Sequence, residues 1–71
     1  MVYDIEFIRR LDGKAEALAV DVVRLIGERI AAVIAQAEEM YKTYDTVPRP
    51  DGFRVLEGGT VVYESPELAA P

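Results

Sequence analysis

The chain has 71 residues, of which 13 are acidic and eight are basic, so its net charge is −5. It contains no cysteine and no histidine, which excludes disulfides, thiolate and imidazole metal ligands, cysteine nucleophiles and the commonest general base. The negative charge opposes binding to a phosphate backbone, so we expect no nucleic-acid partner, and the short chain with its thin core makes self-association or a protein partner an expectation.

The N-terminal segment MVYDIEFIRR predicts a strand and not a signal peptide, because its acids precede its arginines and no cationic stretch is followed by an apolar one. Apolar Tyr3, Ile5 and Phe7 alternate with Asp4 and Glu6, which is the period of a strand that buries one face. No apolar run of the chain is long enough to span a bilayer. We therefore expect a cytoplasmic protein with no membrane partner.

The next stretch, RRLDGKAE, decides the fold, and two interpretations are open. In the first, Asp12-Gly13 forms a type I′ turn between two antiparallel strands. The second strand then ends near Val20, and Asp21 is the N-cap of the following helix. In this register large apolar residues face each other, as does one pair of opposite charges: Tyr3 with Val22, Ile5 with Val20, Phe7 with Leu18, Arg9 with Glu16, and Leu11 with Lys14.

In the second interpretation, Asp12 caps one long helix over residues 13–44, which gives a βαββ order. Such a helix is roughly 45 Å long, whereas a sheet with strands of ordinary length spans roughly 20 Å. The overhanging half needs a second subunit to cover it. We favour the hairpin, because its pairs agree in register and because Val20, Val22 and Val23 are β-branched residues that suit a strand.

Residues 28–44 predict a helix in which apolar residues recur every three or four positions, the pattern of one buried face. The connector DTVPRPDG, residues 45–52, then ends the helix near Tyr44, because its prolines cannot continue a helix. The apolar face of this helix comprises Ile30, Val33, Ile34, Ala37, Met40, Tyr41 and Tyr44.

The segment GFRVLEGGTVVYES predicts a second hairpin. We expect a three-residue loop, Glu57-Gly58-Gly59, in which a glycine supplies the positive φ that the loop needs. Phe53 then pairs with Tyr63, and Val55 pairs with Val61, so that all four lie on the core face. The last residues, 65–71, contain two prolines and one large apolar residue, which predicts a flexible C-terminal tail.

These elements predict one small α+β domain over residues 1–64. Its β-hairpin–helix–β-hairpin (ββαββ) order forms an antiparallel sheet with one helix packed on one face. The predicted core consists of the apolar residues that the strands and the helix turn towards each other: Tyr3, Ile5, Phe7, Leu18, Val20, Ile30, Val33, Ile34, Ala37, Tyr41, Phe53, Val55, Val61 and Tyr63.

The sequence offers no catalytic residue, because Ser65 has no histidine to activate it and no other reactive pair is placed together. We therefore expect no enzyme activity and no cofactor. We also expect no metal site, since Asp4, Glu6 and Asp21 lack the ligand spacing of a cation-binding loop.

Two functions remain open. The preferred one is a non-catalytic protein-interaction module, a homodimer or a binder of a small protein. Its predicted interface is the sheet face away from the helix, with Ile8, Ala15, Ala17 and Ala19 as a flat patch of mostly small side chains. The alternative is a domain that binds a small ligand or an anion near the proline loop, with Tyr44, Arg49 and Arg54 as the binding residues.

Overall fold

The computed structural model describes residues 1–10, 17–45 and 49–69, and in them it shows a four-stranded antiparallel sheet in the order β2-β1-β3-β4. Helix α1 packs on one face, mainly over β3 and β1. The α+β hairpin–helix–hairpin fold is therefore confirmed. The elements in chain order are β1 (Val2–Arg10), β2 (Ala17–Ile26), α1 (Ile30–Lys42), β3 (Gly52–Glu57), β4 (Thr60–Glu64) and α2 (Pro66–Ala69).

The first hairpin is present, so the single long helix over residues 13–44 is wrong. The second strand is longer than predicted, because β2 continues to Ile26. The expectation that Asp21 caps the helix is therefore also wrong. Helix α1 begins at Ile30 with Arg29 as its N-cap, and the Arg29 side chain makes no capping hydrogen bond. The predicted type I′ turn at Asp12-Gly13 lies outside the described residues.

The predicted register of the first hairpin is wrong by two residues at Arg9, which pairs with Leu18 instead of Glu16, and by three residues beyond a bulge in β2 opposite Phe7. A bulge inserts one extra residue into a strand, so two residues of β2 oppose one residue of β1 and every pair beyond it is displaced. Val20 still packs against the core. The observed pairs are Tyr3 with Leu25, Ile5 with Val23, Phe7 with Asp21, Ile8 with Ala19, and Arg9 with Leu18.

The second hairpin also differs from its prediction. Its loop is the two-residue turn Gly58-Gly59, in which both glycines have positive φ, +57° and +85°, as a type I′ turn requires. The predicted pairs Phe53–Tyr63 and Val55–Val61 are wrong. Instead Val55 pairs with Tyr63 and Leu56 with Val61, and a bulge between these pairs returns the Tyr63 ring to the core face.

Most of the predicted core is confirmed. Three of the predicted core residues, Leu18, Ile30 and Val61, are exposed instead. Leu18 lies on β2, beyond the strands that α1 covers, and Ile30 is the first residue of α1. The two-residue turn pairs Val61 with Leu56, which places it on the other face. The buried core residues that were predicted are Tyr3, Ile5, Phe7, Val33, Ala37, Phe53 and Val55, with Val20, Ile34, Tyr41 and Tyr63 half-buried against them.

Residues 65–69, expected in a flexible tail, are packed onto the sheet. Ser65 and Leu68 are buried, and Leu68 belongs to the short helix α2. A Cβ atom added at Gly52 would lie 2.5 Å from Leu68 Cγ, so the absence of a side chain at Gly52 makes room for Leu68. Gly52 pairs with Ile8, which is 2% exposed. Leu68 therefore covers the end of the sheet where Ile8 lies.

Candidate functional site

The sheet face opposite α1 is the first candidate site, and we call it the open face. Residues directly opposite in an antiparallel pair point to the same side, so the register defines the members of this face. Each of them alternates along its strand with residues that pack under α1. The name open face leaves out the end of the sheet near Ile8 and Gly52, which α2 covers. The remaining residues are Val2, Asp4, Glu6, Val22, Arg24, Ile26, Arg54, Leu56, Val61 and Glu64.

Large apolar side chains of the open face are exposed at the end of the sheet away from α2. Ile26 is 83% exposed and Val22 is 53% exposed, and Val2 and Val61 are exposed to nearly the same extent as Val22. Val2 pairs with Ile26, and one step along the strands Asp4 pairs with Arg24. The apolar residues therefore surround an ion pair at this end of the open face.

The charges of the open face are largely balanced. Arg24 Nε lies 3.0 Å from Asp4 Oδ1, and Arg54 Nε lies 2.9 Å from Glu64 Oε2. With Glu6, the face carries three acids and two arginines, a sum of −1, whereas the whole chain carries −5. The open face therefore contributes little to the repulsion between two copies of this acidic chain.

The side chains of two of the four predicted interface residues, Ile8 and Ala19, can be located in the structure. Ile8 is buried, and Ala19, which pairs with it, is exposed. Ala15 and the side chain of Ala17 lie outside the described residues. The sequence interpretation missed Val22 and Ile26, because it ended the second strand near Val20, and it assigned Val61 to the core. The β-branched residues Val22, Val23 and Ile26 are the signal that favours a longer strand.

Two residues of the predicted ligand site, Tyr44 and Arg49, lie at the end of α1 and already contact other residues of the chain there. Arg49 Nη1 donates to the Tyr44 carbonyl at 2.8 Å, and Nη2 donates to the Tyr41 carbonyl at 3.4 Å. The guanidinium therefore bonds to two carbonyl groups at the end of the helix, of which that of Tyr41 also accepts the Tyr44 N–H at 3.3 Å. The Tyr44 ring packs on Phe7, with the ring centroids 5.2 Å apart.

The third predicted ligand residue, Arg54, does not join the other two. It lies on the open face, where it pairs with Glu64, whereas Tyr44 packs against the core on the α1 side. Burial raises the pKa of the Tyr44 hydroxyl, and the Asp21 carboxylate raises it further. Asp21 therefore faces the α1 side too, away from Asp4 and Glu6.

A cleft of about 210 Å³ lies between α1, β3 and α2 and is the second candidate site. The Tyr41 and Phe53 rings, 5.9 Å apart, form part of its wall, and the Tyr41 hydroxyl donates to the Asp51 carbonyl at 3.2 Å. Burial raises the pKa of Tyr41, and the Glu67 carboxylate raises it as well, against the opposing effect of Arg49. The lining residues are Glu38, Tyr41, Lys42, Phe53, Pro66 and Glu67.

Within residues 1–10, 17–45 and 49–69, no three acidic side chains are grouped so that they could hold a metal ion. In the same residues, neither helix is both long enough and apolar enough to cross a membrane. No protein-family model, curated protein or solved structure matches this chain.

Proposed function

We propose that this protein is a non-catalytic interaction module that forms a homodimer through the open face of its sheet. The observation that carries the proposal is the exposure of Val2, Val22, Ile26 and Val61 at one end of that face. Exposed large apolar residues that share one face of a sheet are a feature of protein-protein contacts.

Charge balance favours a second copy as the partner. Two copies that approach by their acidic surfaces repel each other, whereas the open face carries a sum of only −1. Its ion pairs, Arg24–Asp4 and Arg54–Glu64, place both signs on one surface. Such a surface is self-complementary about a two-fold axis, because an arginine of one copy can face an acid of the other.

On this side of the sheet, the two ends differ in how they are covered, and the difference indicates where the second copy binds. At one end Leu68 of α2 covers the sheet near Ile8 and Gly52. At the other end no described element lies over Val2 and Ile26, which remain exposed. The second copy therefore occupies the part of the face that α2 leaves open.

We expect two copies to pack through the faces of their sheets and not to pair through their edge strands. Strand β2 is at the edge of the sheet, and an edge strand can pair with another chain through its free backbone groups. Here, however, the N–H of Val22 in the middle of β2 donates to the Asp21 carboxylate at 2.9 Å. The neighbouring bulge also interrupts the strand, and both features are known ways of blocking an edge.

The proposal is tested by light scattering on a sizing column with two matched variants. The wild-type chain has a mass of 7.9 kDa, and we expect it to elute with twice that mass. The double substitution Val22→Lys with Ile26→Lys buries two cations in the contact, so we expect a monomer. Leu18→Lys is the control, because Leu18 is equally exposed on β2 but points to the other side.

Val22→Thr with Ile26→Thr keeps the β-branched shape that the strand prefers, so it weakens the dimer without unfolding the sheet. Circular dichroism checks the fold of each variant. A wild-type monomer at every concentration would overturn the proposal, and so would a dimer that is lost in Leu18→Lys and retained in the Val22 and Ile26 variants.

A further inference from the structure

The cleft between α1, β3 and α2 has the size of a single extended side chain. Its volume of about 210 Å³ is below the range of about 300–1,000 Å³ that is usual for sites of drug-sized ligands. Helix α1, strand β3 and helix α2 each contribute to the wall. A group that enters the cleft therefore contacts three separate elements of the fold.

The wall of the cleft is suited to a cation by its aromatic rings. Tyr41 and Phe53 lie together in the wall, and the face of an aromatic ring attracts a cation. The chain itself already uses this property, because the Arg49 guanidinium lies 5.6 Å from the centre of the Tyr41 ring. Pro66 adds a further apolar surface, against which an aliphatic stem can pack.

The charges of the cleft also favour a cation. Glu38 comes from α1 and Glu67 from α2, and neither forms an ion pair with another described residue. Lys42 is the single base in the lining, which leaves the cleft with a sum of −1. The negative field of Glu67 reaches the wall, since it helps to raise the pKa of Tyr41.

We propose that this cleft binds a primary alkylammonium group, with its short aliphatic stem against Phe53 and Pro66 and its ammonium between Glu38 and Glu67. Either a free amine or the side chain of a lysine in a peptide supplies this chemistry. The cleft lies beside α1 at the end of the sheet that α2 covers, away from the exposed Val2 and Ile26, so it is independent of the proposed dimer. It has the opposite charge preference to the anion site expected from Arg49 and Arg54.

The test is an NMR titration of the full chain with n-butylammonium. We expect amide shifts at Glu38, Tyr41, Phe53 and Glu67, and no such shifts with n-butanol, which has the same stem without the charge. Substitution of Glu67→Gln or Glu38→Gln weakens binding about two- to fivefold, the range expected for one exposed ion pair. Glu39→Gln is the matched control, since it removes the same charge from α1 outside the cleft.

A blocked lysine, carrying an acetyl group at its N-terminus and a methylamide at its C-terminus, separates the two sources of the ligand. Tighter binding than n-butylammonium identifies a lysine in a peptide, and weaker binding identifies a free amine. The proposal is overturned if n-butylammonium gives no shifts at the cleft, if n-butanol reproduces them, or if Glu39→Gln weakens binding as much as Glu67→Gln does.

Discussion

The two hairpins of the sheet are held in different ways. The first, β1–β2, pairs over a long stretch, yet its outer strand carries exposed Leu18, Val22 and Ile26. At the open end of the first hairpin, exposed hydrogen bonds join Met1 and Gly27, whereas the second hairpin, β3–β4, is shorter and is closed by a buried residue. The turn Gly58-Gly59 joins its strands at one end, and at the other end the buried Ser65 exchanges two hydrogen bonds with Phe53.

The length of a strand therefore does not measure how much the strand contributes to the stability of the fold. Strand β2 lies beyond the part of the sheet that α1 mainly covers, so its apolar side chains are partly open to water. Strands β1 and β3 are covered by α1 on one side and in part by α2 on the other. We therefore expect the stability to be concentrated in β1 and β3, with the exposed side chains of β2 available for contacts to a partner.

The largest loss of stability is expected when a buried residue of the first hairpin is truncated, in comparison with an exposed one. Ile8→Ala removes a side chain that is 2% exposed, and we expect a loss of about 2–5 kcal/mol in the free energy of unfolding. Leu18→Ala removes a side chain that is 57% exposed, and we expect a change within about 0.5 kcal/mol.

Urea denaturation at a fixed protein concentration measures both values, because dimerisation makes stability depend on concentration. Equal losses for Ile8→Ala and Leu18→Ala would contradict the view that β2 contributes less to the core than β1.

The next effect concerns the closed end of the second hairpin. The Ser65 hydroxyl accepts a hydrogen bond from the Phe53 N–H at 3.0 Å in a buried position. Ser65→Ala leaves that N–H without its partner, and we expect a loss of about 1–3 kcal/mol. Hydrogen exchange at the Phe53 amide should become faster in the same variant.

The control is Thr60→Ala, which removes an exposed hydroxyl at the opposite end of β4. A similar loss of stability in Thr60→Ala and Ser65→Ala, with unchanged exchange at Phe53, would show that the buried hydroxyl does not close the hairpin.

The smallest loss of stability is expected for substitutions in the turn of the second hairpin. Gly58 has a φ of +57°, a region that L-residues adopt at a cost of about 1–2 kcal/mol. We expect Gly58→Ala to lower stability by about that amount and Gly58→Asn to lower it less, because Asn-Gly is a favoured type I′ pair.

Thermal unfolding of the two Gly58 variants provides the measurement. No added Cβ at this position meets another atom within 4 Å, so a difference between alanine and asparagine reports the backbone alone. Equal melting temperatures for the two variants would argue against a turn that depends on positive φ.

The kinds of elements could be predicted from local patterns. The alternation of Tyr3, Ile5 and Phe7 predicted β1, and the helical spacing of Val33 and Ala37 predicted α1. The extent of β2 could not be predicted in the same way. Residues 20–26 fit both a helical face and a strand, so their periodicity does not decide between them.

The sequence pattern could not predict which residues of neighbouring strands pair, and the reason is physical. A bulge adds one residue to a strand and shifts every later pair, but it leaves the alternation on each side of it intact. Val61 leaves the core face because the loop has two residues instead of the predicted three, whereas Leu18 is exposed because α1 does not cover it. The bulge in β4 is also what allows the two-glycine turn and a core position for Tyr63 to coexist.

The candidate sites depended on contacts between distant residues. The sequence interpretation grouped Tyr44, Arg49 and Arg54 because they are close along the chain. In the fold Arg49 binds carbonyl groups at the end of α1, and Arg54 lies on the open face with Glu64. The cleft was not predicted, because Glu67 and Pro66 belong to a segment expected to be a flexible tail.

Strand β1, the helix that ends near Tyr44 and most of the central core follow from the sequence alone, because alternation and helical spacing are local properties that a few neighbouring residues express. The choice of a hairpin over a long helix, the register, the exposure of Val22 and Ile26, and the packing of Leu68 over Gly52 follow only from the fold. These depend on bulges and on contacts between segments that are far apart in the chain, where small differences in packing free energy select one arrangement among several that the local pattern allows.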